Sequence, residues 1–321
     1  MMSGEAYRTV KDLPTEEFMA PGNPLCAGCG GLLAVRLFHK ALGGKVVWVN
    51  AAGCITMLSV YPYSPLQSSW LYTAFASAPA GAQGIRDALD LMIKKGKISP
   101  DEDLKVVVVS GDGAAYDIGL QSTLGAVQRK LDFYYLCYDN EAYGNTGFQM
   151  SSATPYGSSS ATTEPTASFP EGNTGHKKDL FEVWKSQKPA YLATISTAQT
   201  VDFLQKVEKS TRITGPKLFI SPVGCPTGWG YDPQETIRVE KLGLETGIWP
   251  LKEYVDGRVK HTHVPGAMKP VEQYLETQAR FKHLFKPEKR DEVISRIQED
   301  VNNYWTMASR AEGFHVRLIG T

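Results

Sequence analysis

Hydrophobic residues along the chain alternate between short continuous runs and longer segments of helical periodicity. Five runs predict buried strands: KVVWV (45–49), KVVVVS (105–110), FYYLCY (133–138), YLATIS (191–196) and KLFISP (217–222). Continuous apolar runs are typical of parallel strands that are covered on both faces. Segments 31–42, 72–95, 120–131 and 200–213 predict helices between them. The alternation predicts an α/β fold built on a doubly wound, mostly parallel sheet.

The predicted organisation has three parts. Residues 1–20 are an N-terminal extension, residues 21–230 form the main domain, and residues 231–321 form a C-terminal arm. The arm holds a predicted hairpin (245–263) and amphipathic helices, which pack either on a partner or on the core. Segment 151–175 is rich in Ser, Thr, Gly and Pro, so it is either a surface loop or a loop that covers a site.

Charge and cysteine content exclude several classes of function. Lys+Arg and Asp+Glu balance at 34 each, which gives no reason to expect a nucleic-acid or anionic-membrane partner. Neither a secretory signal nor an apolar run of membrane-spanning length is evident, and we expect a cytoplasmic protein. The 5 cysteines are too few, and odd in number, for a disulfide framework.

Two short motifs follow neighbouring predicted strands. GDG (111–113) comes after the strand at 105–110, and YDNEAYGNTG (138–147) includes the end of the next strand. Ligands of doubly wound sheets bind at the carboxyl ends of strands, so Asp112 and Asn140 are expected side by side. A carboxylate, an amide oxygen and a backbone carbonyl suit Mg²⁺, which keeps positions for phosphate oxygens. The glycines allow a diphosphate to approach the backbone.

The cysteines suggest a second centre. Cys26 and Cys29 form a C-x-x-C pair in PLCAGCGG (24–31), and Cys54 and Cys225 lie in NAAGC and GCPTGW. On residue type alone such a set could hold an iron–sulfur cluster or a zinc ion, and the pair could be a redox dithiol. Cys137, inside a predicted strand, is expected to be an inert buried thiol.

Taken together, CAGCG, NAAGC, GDGAAYDIG, YDNEAYGNTGFQMSSATP and CPTGW resemble the thiamine-diphosphate-binding β subunit of 2-oxoacid:ferredoxin oxidoreductases, of which the pyruvate enzyme is best known. The resemblance covers about residues 20–285. It implies a [4Fe–4S] cluster on Cys26, Cys29, Cys54 and Cys225, and Mg²⁺ on Asp112, Asn140 and the Ala142 carbonyl. The cofactor-lining residues that it implies are Gly111, Asp112, Gly113, Ala114, Asn140, Glu141, Ala142, Tyr143, Gly144, Asn145 and Cys54. Asn145 is the predicted catalytic residue, in contact with the reacting oxygen.

The resemblance also implies an activity and partners. It implies oxidative decarboxylation of a 2-oxoacid, with electrons passing to the cluster and on to ferredoxin or another carrier, and the acyl group to coenzyme A. An α subunit would supply the acid that activates thiamine and the arginine for the substrate carboxylate, and a further ferredoxin-like subunit would carry more clusters. Two alternatives stay open: a non-redox thiamine decarboxylase or carboligase with structural zinc, and a scaffold without catalysis.

Two positions depart from the family pattern. Gly31 stands where relatives frequently carry an acidic residue, and Gly144 where many carry a larger one. The glycine at 144 is expected to leave room beside the thiazolium ring. That room would be compatible with a substrate other than pyruvate, such as an aryl or branched 2-oxoacid.

Overall fold

The computed structural model of the chain describes residues 7–60 and 62–320. Its eight strands form one sheet in the order β2-β1-β3-β4-β6-β5-β7-β8. The strands are β1 (Val46–Ala51), β2 (Ser69–Thr73), β3 (Lys105–Gly111), β4 (Tyr134–Asp139), β5 (Tyr191–Thr194), β6 (Lys217–Pro222), β7 (Leu251–Val255) and β8 (Arg258–His263). The first six pair in parallel, whereas β7 is antiparallel to both β5 and β8.

Helices cover both faces of the sheet. They are α1 (Gly30–Leu42), α2 (Ala78–Lys94), α3 (Leu120–Gln128), α4 (Leu180–Ser186), α5 (Thr200–Ser210), α6 (Pro226–Trp229), α7 (Thr236–Glu245), α8 (Glu272–Leu275) and α9 (Asp291–Glu312). Val108 of β3 packs in one core with Ala82 of α2. The adjacent Val107 points to the other face and packs with Phe38 of α1 and Phe203 of α5. This alternation confirms the predicted doubly wound arrangement.

Strand β2 is the main correction to the sequence interpretation. Residues 72–95 were expected to be helical, but β2 extends to Thr73 and α2 begins only at Ala78, with Pro79 in its first turn. Proline is favoured at that position because its missing N–H has no partner there in any case. The edge strand was missed because most of its side chains are exposed, so it lacks a continuous buried run.

The C-terminal region packs on the core rather than standing apart from it. The β7–β8 hairpin extends the sheet, and a third apolar core joins it to α9 through Trp249, Tyr274 and Trp305. The boundaries at residues 20 and 230 stay a prediction. Within residues 7–60 and 62–320, no helix combines the length and apolar character needed to cross a membrane.

Candidate cofactor site

The ends of β3 and β4 lie next to each other, as the motifs predicted. Gly111 pairs with Tyr138 across the two strands. Asp112 follows at once and is fully buried, and residues 113–118 then form a short π-helix. Asn140 directly follows β4 and is also buried. The parallel register therefore brings together two residues that are far apart along the chain.

Three oxygen atoms converge at this edge of the sheet. Oδ1 of Asn140 lies 2.7 Å from Oδ1 of Asp112 and 2.8 Å from the carbonyl oxygen of Ala142. With the amide turned over, Nδ2 would donate to both oxygens. Neighbouring oxygen ligands of an octahedral Mg²⁺ with bonds of 2.0–2.1 Å stand about 2.9 Å apart, which is close to this spacing. The three groups therefore fit a small, hard cation.

The electrostatics of Asp112 point the same way. Burial raises the pKa of this carboxyl well above its usual value, and the nearby Asp139 raises it further. The Ser151 hydroxyl donates a hydrogen bond to its Oδ2. A buried carboxylate beside a second acidic group requires compensating charge to remain ionised, and a bound cation would supply that charge.

A cavity of about 220 Å³ opens above these oxygens. Nine of the predicted cofactor-lining residues line this cavity: Cys54, Gly111, Gly113, Ala114, Asn140, Ala142, Tyr143, Gly144 and Asn145. The motifs had not indicated the remaining lining residues: Ala52, Gly53, Thr56, Met57, Tyr72, Phe75, Tyr138 and Thr146. Several of these follow the carboxyl end of β1. That position is itself a signal for a ligand site in such sheets, and it could have found them.

The loops that carry the cysteines dock against each other. The N–H of Gly30, next to Cys29, donates to the carbonyl of Gly224 at 3.1 Å. The N–H of Gly224, next to Cys225, in turn donates to Oε1 of Glu240 at 2.9 Å. The Gly30–Gly224 bond holds the C-x-x-C loop beside the loop that contains Cys225, and the Glu240 side chain fixes the second loop on α7.

Cys54 reaches the same region from the end of β1. A Cβ atom added to Gly144 would lie 2.5 Å from Nδ2 of Asn140 and 3.4 Å from Sγ of Cys54. The Asn140 side chain also hydrogen bonds to Cys225. Burial raises the pKa of the Cys225 thiol, and this hydrogen bond offsets a small part of the increase. Asn140 thus lies between the oxygens around Asp112 and the sulfurs of Cys54 and Cys225.

The four thiols act on one another electrostatically. Burial raises the pKa of Cys29 to about 11 and that of Cys54 to about 12, and Cys225 and Cys26 contribute to both increases. Among the described residues, no group of three or more His, Cys, Asp and Glu side chains could hold a metal ion as placed. Cys137 is fully buried in the core under α2 and α4, apart from these four thiols, in keeping with an inert thiol.

Glu141 is a correction to the predicted cofactor-lining set. Its backbone is left-handed (φ 64°), and its side chain points away from the cavity. Oε1 lies 2.9 Å from Nζ of Lys177, and Oε2 accepts a hydrogen bond from Nη2 of Arg280 at 2.6 Å. Burial raises the pKa of the Glu141 carboxyl, but Lys177 and Arg280 together lower it below its usual value. Glu141 therefore anchors the loop that carries Asn140 and Ala142.

The two departures from the family pattern have structural explanations. A Cβ at Gly31 would lie 3.3 Å from the ring of Tyr138, so the glycine admits that ring. The space beside Gly144 is taken by the Asn140 amide, as the 2.5 Å distance indicates. The glycine therefore admits the Asn140 amide, and the expectation that it leaves room for a larger substrate stays a prediction.

Segment 151–175 is fastened to the residues of the site, although none of its side chains lines the cavity. Besides the Ser151 contact with Asp112, Oγ1 of Thr154 donates to the Glu141 carbonyl at 2.7 Å. Nδ2 of Asn173 donates to the Thr154 carbonyl at 3.0 Å and closes the loop on itself. The two alternatives for this segment, a surface loop and a loop that covers a site, both stay predictions.

The adjacent strand ends of this parallel sheet present Asp112, Asn140 and the Ala142 carbonyl together, as the resemblance to thiamine-diphosphate enzymes implied. The family described as "Thiamine pyrophosphate enzyme, C-terminal TPP binding domain" matches residues 51–219. The chain is 40% identical to pyruvate synthase subunit PorB of Methanocaldococcus jannaschii over 295 residues, which cover 91% of this chain and 97% of the relative. It is 38% identical to ketoisovalerate oxidoreductase subunit VorB of Pyrococcus abyssi, covering 91% and 93%. The chain therefore belongs to the β-subunit family of thiamine-dependent 2-oxoacid:ferredoxin oxidoreductases.

One solved structure has a similar fold. A chain of the 2-oxoglutarate:ferredoxin oxidoreductase from Magnetococcus marinus superposes with a TM-score of 0.53. The match covers 70% of this chain and 72% of that one at 21% sequence identity. At this identity the likeness concerns the fold alone.

Proposed function

We propose that this chain binds Mg²⁺–thiamine diphosphate and a [4Fe–4S] cluster side by side. With partner subunits it would catalyse the coenzyme A-dependent oxidative decarboxylation of pyruvate and pass the electrons to ferredoxin. The observation that carries the proposal is the position of Asn140. Its Oδ1 faces Asp112 and Ala142, while its Nδ2 lies on the side of Cys54.

The oxygen ligands would anchor the cofactor through its diphosphate. Asp112, Asn140 and the Ala142 carbonyl would bind one side of Mg²⁺ and leave its other positions to phosphate oxygens. Gly111 and Gly113 line the cavity, and the missing side chains admit the rings of Tyr138 and Tyr143, which line it as well. When bound, thiamine diphosphate supplies a nucleophilic ring carbon and an electron sink for decarboxylation.

The sulfur ligands would hold the cluster, which takes up electrons one at a time. A four-iron cluster interposes its own iron and sulfide atoms between the cysteines. Its ligands therefore need not approach one another as closely as the ligands of a single ion, and the wide set of Cys26, Cys29, Cys54 and Cys225 is consistent with this. The raised thiol pKa values of Cys29, Cys54 and Cys225 are expected for ligands that require a metal centre to ionise.

Asn145 is the proposed substrate-contacting residue. It is exposed at the mouth of the cavity. In the described part of the chain its side chain has no hydrogen-bond partner, so its amide is available to a ligand oxygen. This supports a role at the reacting centre better than a role in capping the loop.

A partner subunit would complete the site. The cavity of about 220 Å³ is smaller than the roughly 300–1,000 Å³ of typical ligand pockets. Beside it Met57 is 40% exposed, and Leu71 and Tyr72 on the edge strand β2 are 42% and 54% exposed. Exposed apolar side chains next to an unpaired edge favour a protein interface here. The α subunit would cover this surface.

Pyruvate is the proposed substrate because pyruvate synthase subunits are among the relatives at about 40% identity. The similarity to a ketoisovalerate oxidoreductase subunit makes 2-oxoisovalerate the second candidate.

Anaerobic purification of the native complex tests the proposal. We expect iron, acid-labile sulfide and thiamine diphosphate in the complex, and coenzyme A-dependent ferredoxin reduction that is fastest with pyruvate. Cys225→Ala should lower the iron content, whereas the matched variant Cys137→Ala should retain it. A colourless thiamine protein that contains zinc would contradict the cluster. A higher kcat/KM with 2-oxoisovalerate would select the second substrate.

A further inference from the structure

A second cavity, of about 380 Å³, lies between the segment before α4, strand β7 and helix α9. It shares no lining residue with the cofactor cavity. Its walls are largely apolar, with Phe181, Ile220, Trp249, Pro250, Ile297 and Val301 among them. Four carboxylates also line it: Asp139 and Glu141 are paired with Lys177, Asp300 lies 4.0 Å from His176, and Asp179 caps α4. Its volume falls within the roughly 300–1,000 Å³ range of small-molecule sites.

Lys252 contributes the unusual feature of this cavity. The residue is 5% exposed, and its Nζ lies 4.2 Å from the ring centre of Phe181 and 5.0 Å from that of Tyr304. Within residues 7–60 and 62–320, this ammonium makes no hydrogen bond or ion pair. Burial lowers the pKa of Lys252. Four charged groups influence the pKa of Lys252 from beyond ion-pair distance: Asp179, Glu182, Lys185 and Glu312.

The other lysines of the cavity already have acidic partners. Lys177 lies 2.7 Å from Asp139 and is also paired with Glu141, and Lys178 lies 3.1 Å from Asp117. Of the described lysines that line the cavity, Lys252 is therefore the one without an ion-pair partner. Aromatic rings offset part of the cost of burying an ammonium, but an anion offsets much more.

We propose that this cavity binds a small monocarboxylate with a branched or aromatic hydrocarbon body. The carboxylate would pair with Lys252, and the hydrocarbon would pack on the apolar walls. A single unpaired cation in apolar surroundings suits one negative charge and disfavours a polyanion such as a diphosphate. Glu141 lines this cavity and also anchors the loop that carries Asn140 and Ala142, so the two sites are neighbours. The proposal does not rest on the proposed function.

Titration calorimetry on the intact complex, with phenylacetate as the probe and its neutral analogue phenylacetamide, tests the site. We expect saturable binding of phenylacetate at one site per chain. Binding of phenylacetamide should be at least about tenfold weaker, because a charge-assisted contact is worth more than the 1.4 kcal/mol that a tenfold change represents. Equal affinities for the acid and the amide, or no saturable binding of phenylacetate, would overturn the proposal.

Three variants locate the binding. Lys252→Met removes the charge at similar volume, and Ile297→Trp fills the cavity while leaving Lys252 in place. Each should weaken phenylacetate binding at least about tenfold, whereas Lys94→Met, an exposed lysine on α2, should have no effect. If Lys252→Met does not fold, Ile297→Trp decides the question. Unchanged affinity in a folded Lys252→Met or Ile297→Trp variant would refute the site.

Discussion

Replacing Arg280 with methionine would show whether an ion pair behind the cofactor cavity controls the ligands inside it. Arg280 is 4% exposed. Its Nη2 donates to Glu141 at 2.6 Å, its Nε donates to Gln278 at 2.9 Å, and its guanidinium carbon lies 3.8 Å from the ring centre of Trp229. Methionine retains much of the packing on Trp229 and removes the charge, these two hydrogen bonds and a longer one from Nη2 to the Tyr274 hydroxyl.

The expected loss of stability follows from these contacts. Removing one partner of a buried ion pair typically costs about 3–5 kcal/mol. In the variant Glu141 still has Lys177 as a counterion at 2.9 Å, so its charge is not left unpaired. We therefore expect the free energy of unfolding to fall by the lower end of this range, about 3 kcal/mol. An unfolding entropy of about 2.1 cal/mol/K per residue over 321 residues gives roughly 0.7 kcal/mol/K, so Tm should fall by about 4–5 °C.

A second effect should reach the cofactor. Glu141 holds a left-handed backbone conformation that costs a non-glycine residue about 1–2 kcal/mol, and its ion pairs maintain it. If the loop relaxes, Asn140 and Ala142 lose their alignment with Asp112. An energy of that size corresponds to a loss of about tenfold in affinity for Mg²⁺–thiamine diphosphate.

Scanning calorimetry and an anaerobic titration with Mg²⁺–thiamine diphosphate would measure both effects. Arg296→Met is the matched control, because Arg296 is exposed and its guanidinium carbon also lies over an aromatic ring, 4.3 Å from the centre of Tyr156. The control should change stability by less than about 1 kcal/mol. If both variants melt alike and bind the cofactor alike, the argument for a positioning role of Arg280 fails.

Two further predictions concern stability and the cysteine loops. Burial lowers the pKa of His39 to about 4, whereas the same side chain in the unfolded chain has a pKa of about 6.5. Below pH 6.5 the unfolded chain therefore binds more protons than the folded one. The free energy of unfolding should be unaffected above pH 6.5 and should fall as the pH drops towards 4, by about 2 kcal/mol at pH 5. Urea titrations at pH 7 and pH 5 should show this loss in the wild type and not in His39→Phe, and equal losses would contradict it. In Gly30→Ala the added Cβ would lie 2.5 Å from Oε1 of Glu240 and 2.8 Å from N of Gly224, so the docked loops must part and the iron content should fall. Gly84→Ala on α2 is the control, because its added Cβ meets nothing within 4 Å. This variant should keep its iron, and its free energy of unfolding should rise by about 0.5–1 kcal/mol. Equal iron contents in the Gly30→Ala and Gly84→Ala variants would count against the docking argument.

Much of the cofactor site could be predicted because its residues lie in short motifs directly after strands. In a parallel sheet, the carboxyl ends of neighbouring strands meet at one edge, so strand order along the chain was enough to pair Asp112 with Asn140. The same reasoning misled at Glu141. Membership of a motif fixes the position of a backbone, whereas the direction of a side chain depends on which charges are packed around it.

The sequence by itself determined the alternation of buried strands and helices, the order of the motifs and the family, because periodicity and motif spacing are local properties of the chain. Only the tertiary structure decided which distant side chains meet. Arg280 reaches Glu141 across 139 positions, and Lys252 is enclosed by Phe181 and Tyr304 from two different helices. Such partners are selected by packing across the sheet, where burial forces each charge either to find a counterion or, as at Lys252, to face a cavity.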